Sequence, residues 1–170
     1  MININIDLNA RDAARFMDAA PRLIFNAQRS AIGTTTTFAT RLMKQRMEAI
    51  TGLPGKVFKQ YRVKSRVSDK RGIVFLGFNP VKAAYAGKLK QQEAGAMAGQ
   101  YYFEKGFVAK MHSGHVSIFK RKGKKRFPLV EQMIQLPKAQ AITEQVADEA
   151  AIEFQRRYVE YLTDFINNLL

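Results

Sequence analysis

Two histidines and one run of cations are the residues of this sequence with the types and spacing to do chemistry. His112 and His115 stand H-x-x-H across what reads as a turn. A zinc site takes at least three protein ligands of suitable type. With no cysteine in the chain and no carboxylate close by in sequence, the pair is read as turn residues and no metal is expected. The cations are Lys120, Arg121, Lys122, Lys124, Lys125 and Arg126, set around Gly123. Such a run can track a phosphate backbone without reading bases, or it can be a solvated tip that keeps two strands apart from other chains. Arg62, Lys64 and Arg66 form a second group, alternating with Tyr61, Val63 and Val67 so that one strand face is cationic. These nine residues are the candidate contacts for a partner protein or a nucleic acid. Phe119 and Phe127 bracket the cation run at strand positions, which predicts core packing rather than base stacking.

The remaining chemistry is mostly excluded. No Ser/His/Asp arrangement, glycine-rich phosphate loop ending in Lys-Ser/Thr, or pair of carboxylates stands out. Glu104 has no partner placed beside it, and half of the 14 acidic residues lie beyond Pro128 on what read as helix surfaces. The residues therefore predict neither an enzyme nor a cofactor. No helix-turn-helix, finger or RNA-binding sheet signature is present, so sequence-specific recognition is not expected either.

The charge has a place as well as a size. The chain carries a formal net charge of +14 with a pI near 10.2. Residues 56–126 hold 18 Lys+Arg against 3 Asp+Glu, whereas the rest hold 10 against 11. From Glu131 onward the balance is acidic, 3 against 7. That asymmetry suits a surface facing a polyanion or an acidic protein. At 170 residues, with 46% hydrophobic and 25% charged, the chain is of a size and composition to fold as one domain spanning residues 1–170. It has no apolar run near the ~18 residues of a membrane span. It also lacks the cationic start of a signal peptide, so no membrane is expected and the cytoplasm is the expected place of synthesis and use.

The elements that must position the cations are legible from periodicity and turn chemistry. Phe107, Val108 and Met111 form one apolar run and Val116, Ile118 and Phe119 another. Ser113-Gly114 between them closes a hairpin, because Gly supplies the positive φ such turns need. After the cation run, Phe127-Pro128 restarts an extended stretch through Leu129, Val130, Met133, Ile134 and Leu136, with Pro128 suited to a strand's start or edge. Upstream, residues 61–67 and 73–78 read as a second hairpin around residues 68–72. Ile2, Ile4, Ile6 and Leu8 alternate with polar residues and predict a short strand.

Helices are predicted over residues 10–20, from Pro21 to about Ile50, and from Pro137 to Leu170. The last carries Ile142, Val146, Ala150, Phe154, Tyr158, Tyr161, Phe165 and Leu169 on one stripe. The threonines at 34–37 weaken helix propensity and mark a bend. Residues 51–55, Thr-Gly-Leu-Pro-Gly, stop the long helix, and a helical turn through Val57, Phe58 and Tyr61 follows. Residues 81–100 have small side chains and no period, and predict a flexible loop near 91–100. The fold class expected is α+β: a small, mostly antiparallel sheet built from hairpins and packed against a long N-terminal and a long C-terminal helix.

Phe107-Val108-Ala109, Met111, Ser113-Gly114-His115, Phe119-Lys120-Arg121, Gly123, Arg126 and Pro128-Leu129, in that order and spacing, resemble the minor tail protein Z family of long-tailed bacteriophages. Asn26-Ala27-Gln28-Arg29 in the long helix and Pro137 before the last one fit the same layout. Gln135-Leu136-Pro137 lacks the Gly that family members often carry there.

The resemblance implies a structural virion protein of the tail-completion type. Such a protein acts at the head-proximal end of the tail, contacts the tail terminator or connector, and is linked to seating the DNA end. It further implies a homo-oligomer in the assembled tail, assembly in the host cytoplasm, no enzymatic activity and no cofactor. The alternative left open by the residues is a nonspecific nucleic-acid-binding protein that uses the basic centre of the chain.

Overall fold

The computed structural model describes residues 10–168. The strand expected over residues 2–8 and Leu169 of the last helix lie outside the described residues. In chain order the elements are α1 (Ala10–Thr51), α2 (Gly55–Val57), a π-helical turn (Phe58–Arg62), β1 (Val63–Ser68), β2 (Arg71–Leu76), β3 (Val81–Lys82), a 3-10 turn (Ala83–Tyr85), β4 (Leu89–Gln92), β5 (Gly95–Ala98), β6 (Tyr101–Glu104), β7 (Phe107–Lys110), β8 (Val116–Arg121), β9 (Leu129–Glu131), β10 (Met133–Ile134) and α3 (Gln140–Asn167). The fold is α+β, with long helices at either end of the chain flanking, in sequence, a region of small antiparallel sheets built from hairpins. Among the described residues, no helix is long and apolar enough to cross a membrane.

Two helices were expected before residue 51, and the structure has one, 42 residues long and continuous through Pro21. A proline inside a helix forfeits one backbone hydrogen bond, and the turns on either side hold the helix across that gap. The threonine run does not interrupt it either. The hydroxyls of Thr34, Thr36 and Thr37 donate to the carbonyls of Ser30, Ile32 and Gly33 at 3.0, 2.7 and 3.0 Å, so these polar groups are satisfied along the helix itself. The stop falls where expected. Gly52 takes φ +59, its N–H donates to the Glu48 carbonyl at 2.7 Å, and the Thr51 hydroxyl donates to Met47.

The described chain gathers into two compact units. The first comprises the described residues of Met1–Ala39, Ser65–Val74 and Gln145–Leu170. Ala27, Ala31 and Ala39, four and eight apart as a helical stripe requires, are buried on its part of α1 with Ile32 beside Ala31, and Val146 and Ile166 are buried on α3. The turn joining β1 to β2 lies against α1. Arg29 pairs with Asp69 at 3.0 Å, and Gly72 passes so close to Thr36 that an added Cβ would overlap its hydroxyl. Along α3, Phe154 stacks on Tyr158 and Tyr161 on Phe165, all four half-buried.

The second unit comprises Thr40–Lys64 and Phe75–Glu144. Met47 and Phe58 are fully buried in it, along with Ile118 and Val81. Burying each large apolar side chain is worth ~1.5–3 kcal/mol. Its sheets are three: β3 with β10, β4-β5-β6, and β7-β8-β9, every pairing antiparallel. The Ser113-Gly114 turn forms as predicted, with Gly114 at φ +82 and its N–H donating to Met111 at 2.8 Å.

The stretch expected to be a flexible loop near 91–100 is instead folded. β4 and β5 pair from Leu89↔Ala98 to Gln92↔Gly95 around a turn at Glu93-Ala94, and β5 pairs in turn with β6. Its small residues are there because the site admits nothing larger: Ala96 and Ala98 are fully buried, and a Cβ on Gly95 would collide with the Phe103 carbonyl oxygen. The side chain of Gln100 donates to the Thr51 carbonyl at 2.9 Å, and the Tyr101 hydroxyl donates to the same oxygen, tying this sheet to the end of α1.

Candidate functional site

The cation run sits where two strands of one sheet hand over to each other. Lys120 and Arg121 end β8, residues 122–126 are a series of bends, and β9 begins at Leu129. The pairing Phe119↔Glu131, Lys120↔Val130 and Arg121↔Leu129 reaches the base of the loop, and the Lys122 N–H donates to the Pro128 carbonyl at 3.2 Å across its mouth. The geometry follows from the sequence. Six cations crowded around a glycine repel one another and gain nothing from pairing, so the ladder opens there and resumes at the apolar Leu129. All six are exposed, and among the described residues none of them makes an ion pair. Arg121 lies over the Phe107 ring and Arg126 over the Phe127 ring, each guanidinium carbon 5.7 Å from the ring centroid.

The other three predicted contacts divide. Lys64 and Arg66 are exposed on β1, two residues apart and so on one face of that strand. Arg62 is not on the strand at all. It closes the π-helical turn, is half-buried, and donates from Nη2 to the Pro80 carbonyl at 2.9 Å, while the Gly77 N–H donates to the Arg62 carbonyl at 2.7 Å. The alternation that put Arg62 beside Lys64 begins one residue too early, because the helical turn runs through Arg62. Its role is to fasten the chain after β2 to the start of β1.

Two features of the site were not visible in the sequence. The first is a charge relay of structural kind. Glu131 accepts from His115 Nε2 at 2.7 Å and from Lys82 Nζ at 3.0 Å, joining β3, the turn before β8, and β9. Burial alone would raise the Glu131 carboxyl, but hydrogen bonds from His115 and Lys82 outweigh it and hold it below the usual carboxylate range. The same hydrogen bond, with the Glu131 charge behind it, raises Lys82. Sixteen positions separate His115 from Glu131, and only the β8–β9 register brings them together. His112, by contrast, is exposed, and among the described residues no group of three His, Cys, Asp or Glu could hold a metal.

The second feature is a cleft of about 470 Å³ at the base of the loop, with Phe107, Lys110, His112, Arg121, Arg126 and Phe127 in its lining. Phe119 packs in the core as expected, at 5% exposure, but Phe127 does not: it is 64% exposed. β9 starts two residues after Phe127, so its side chain has no strand partner to pack on.

The cleft offers cationic and aromatic surface, with no carboxylate in its lining. A family model described as prophage minor tail protein Z matches residues 19–170, most of the chain and all of the loop and cleft. No curated protein and no solved structure matches the chain. The chain belongs to the prophage minor tail protein Z family, structural proteins that carry out no catalysis and act in phage tail assembly together with other components of the tail.

Proposed function

We propose that this protein completes the phage tail at its head-proximal end, and that its exposed cations dock an acidic face of the tail terminator or connector. The observation that carries this reading is the placement of charge. The second compact unit holds 19 Lys+Arg against 5 Asp+Glu, the whole net +14 of the chain, while the first holds 9 against 9. The loop cations Lys120, Arg121, Lys122, Lys124, Lys125 and Arg126 are the densest part of that excess, and among the described residues none is paired with a carboxylate. Lys64 adds to it from β1, Arg66 stands two residues further along the same strand, and Arg62 contributes by holding that strand's start in place. The protein is made and assembled in the host cytoplasm, ends in the virion tail, and works there as a homo-oligomer.

The test is one variant, Lys120→Ser/Arg121→Ser/Lys122→Ser/Lys124→Ser/Lys125→Ser/Arg126→Ser, scored for fold by circular dichroism and for the yield of infectious particles in a complementation assay. The expected result is a folded protein that no longer completes tails. Completion by the parent protein should also slow as salt rises, since complementary charge acts chiefly on association rate. Normal completion by the variant overturns the proposal. The second reading, nonspecific binding of nucleic acid, is favoured by one observation of its own, the arginine-aromatic cleft beside the loop.

A further inference from the structure

The cleft at the base of the basic loop has a composition that a protein-docking loop does not require. Its lining holds two aromatic rings, two guanidinium groups, Lys110 and His112, and no carboxylate. Glu131, the one carboxylate on the strands of the β7-β8-β9 sheet, is already engaged by His115 and Lys82. Because Phe107 pairs with Phe119 and Arg121 is two residues beyond Phe119, Phe107 and Arg121 rise from the same face of the β7-β8-β9 sheet. There Arg121 sits over the Phe107 ring within the ~6 Å range of a cation–π contact. Arg126 likewise lies over the Phe127 ring, which is nonetheless left 64% exposed. An aromatic ring largely open to solvent, with one guanidinium over it and further cations in the same cleft, offers a stacking surface with phosphate contacts beside it.

We propose that this cleft binds single-stranded nucleic acid, with an unpaired base stacked on Phe127 and the flanking phosphates held by Arg121, Arg126 and Lys110. The volume of about 470 Å³ falls within the ~300–1,000 Å³ of small-ligand sites, large enough for one nucleotide and too small for a duplex to enter. In a duplex the base faces are covered by their neighbours, so only an unpaired base can offer a ring to Phe127. An acidic peptide would satisfy the cations but would leave the exposed surface of the Phe127 ring without a stacking partner. The proposal goes beyond the docking of a tail protein and does not depend on it.

The experiment uses the full chain and labelled oligothymidine and oligouridine of about 12 nucleotides, within the ~4–16-nucleotide site sizes of single-strand binders. A duplex of equal length is the comparison, and all are read by fluorescence anisotropy. The parent protein should bind both single strands more tightly than the duplex; a preference for one of them tells DNA from RNA as the source. Phe127→Ser should weaken single-strand binding about 5- to 150-fold, the span to which ~1–3 kcal/mol per stacked base converts, and leave duplex binding unchanged. Arg121→Ser/Arg126→Ser should instead flatten the salt dependence by roughly 0.7 for each phosphate no longer held. The chain contains no tryptophan, so Phe127→Trp supplies a second readout that does not rely on a loss. Its emission should be quenched by oligothymidine and not by duplex. Equal affinity for single strand and duplex, an unchanged affinity in Phe127→Ser, or an indole that only polyglutamate perturbs would each overturn the proposal, the last by assigning the cleft to an acidic protein.

Discussion

Glu153 shows how a single residue of this protein answers to pH. It receives hydrogen bonds from Arg156 at 2.8 Å and Arg157 at 2.9 Å, and those bonds hold its carboxyl at about 2, against an ordinary value of 4.5. The unfolded chain takes up a proton near 4.5 that the folded chain refuses until about 2. The contribution of Glu153 to stability is therefore present above pH 4.5 and is lost as pH falls through that window. Urea midpoints of the parent protein and Glu153→Gln should differ at neutral pH and converge toward pH 2. Two curves that stay parallel through the window would show that the arginine pair does not act on folding. At this scale the sequence was readable where neighbours on a helix interact, since Glu153, Arg156 and Arg157 are three and four apart. It was not readable for Glu131 and His115, whose meeting depends on strand register, nor for Phe127, whose exposure depends on where β9 begins.

At the scale of elements, what could be read was whatever carried a strong period or a turn residue. The stripe of α3, the break at Gly52 and the Ser113-Gly114 hairpin are present as expected, and the two predicted N-terminal helices are one, because α1 runs on through Pro21 despite the hydrogen bond forfeited there. β4 and β5 were illegible for a physical reason. A strand made of Gly95, Ala96 and Ala98 shows no alternation of large apolar and polar side chains, since its fit depends on having almost none. That fit can be tested. Gly95→Ala forces a Cβ against the backbone oxygen of Phe103, an atom that cannot swing aside, and should destabilise the protein by ~1–3 kcal/mol as overpacking does. The check is the urea midpoint, and a midpoint equal to the parent's would mean that the β5–β6 pairing is loose enough to yield to a methyl group. The half-buried state of Phe154 was also beyond the sequence, because a stripe tells which face turns inward and not how completely that face is covered.

For the molecule as a whole, the expectation of a single domain over residues 1–170 becomes a proposal about cooperativity. α1 runs unbroken from Ala39 to Thr40, where one compact unit gives way to the other, and β1 and β2 each likewise contribute residues to both. A helix shared in this way cannot melt in one part without fraying the other. The protein should unfold in one calorimetric transition whose measured and van't Hoff enthalpies agree. Two resolved transitions would make the units independent.

The uneven charge of those units bears on how contact begins. Long-range attraction toward a polyanion acts on the same unit that holds the loop and cleft, so the pull and the contact surface belong to one part of the chain. Salt sets the reach of that pull, ~8 Å at physiological ionic strength. The other unit, with as many anions as cations, adds no net share to it.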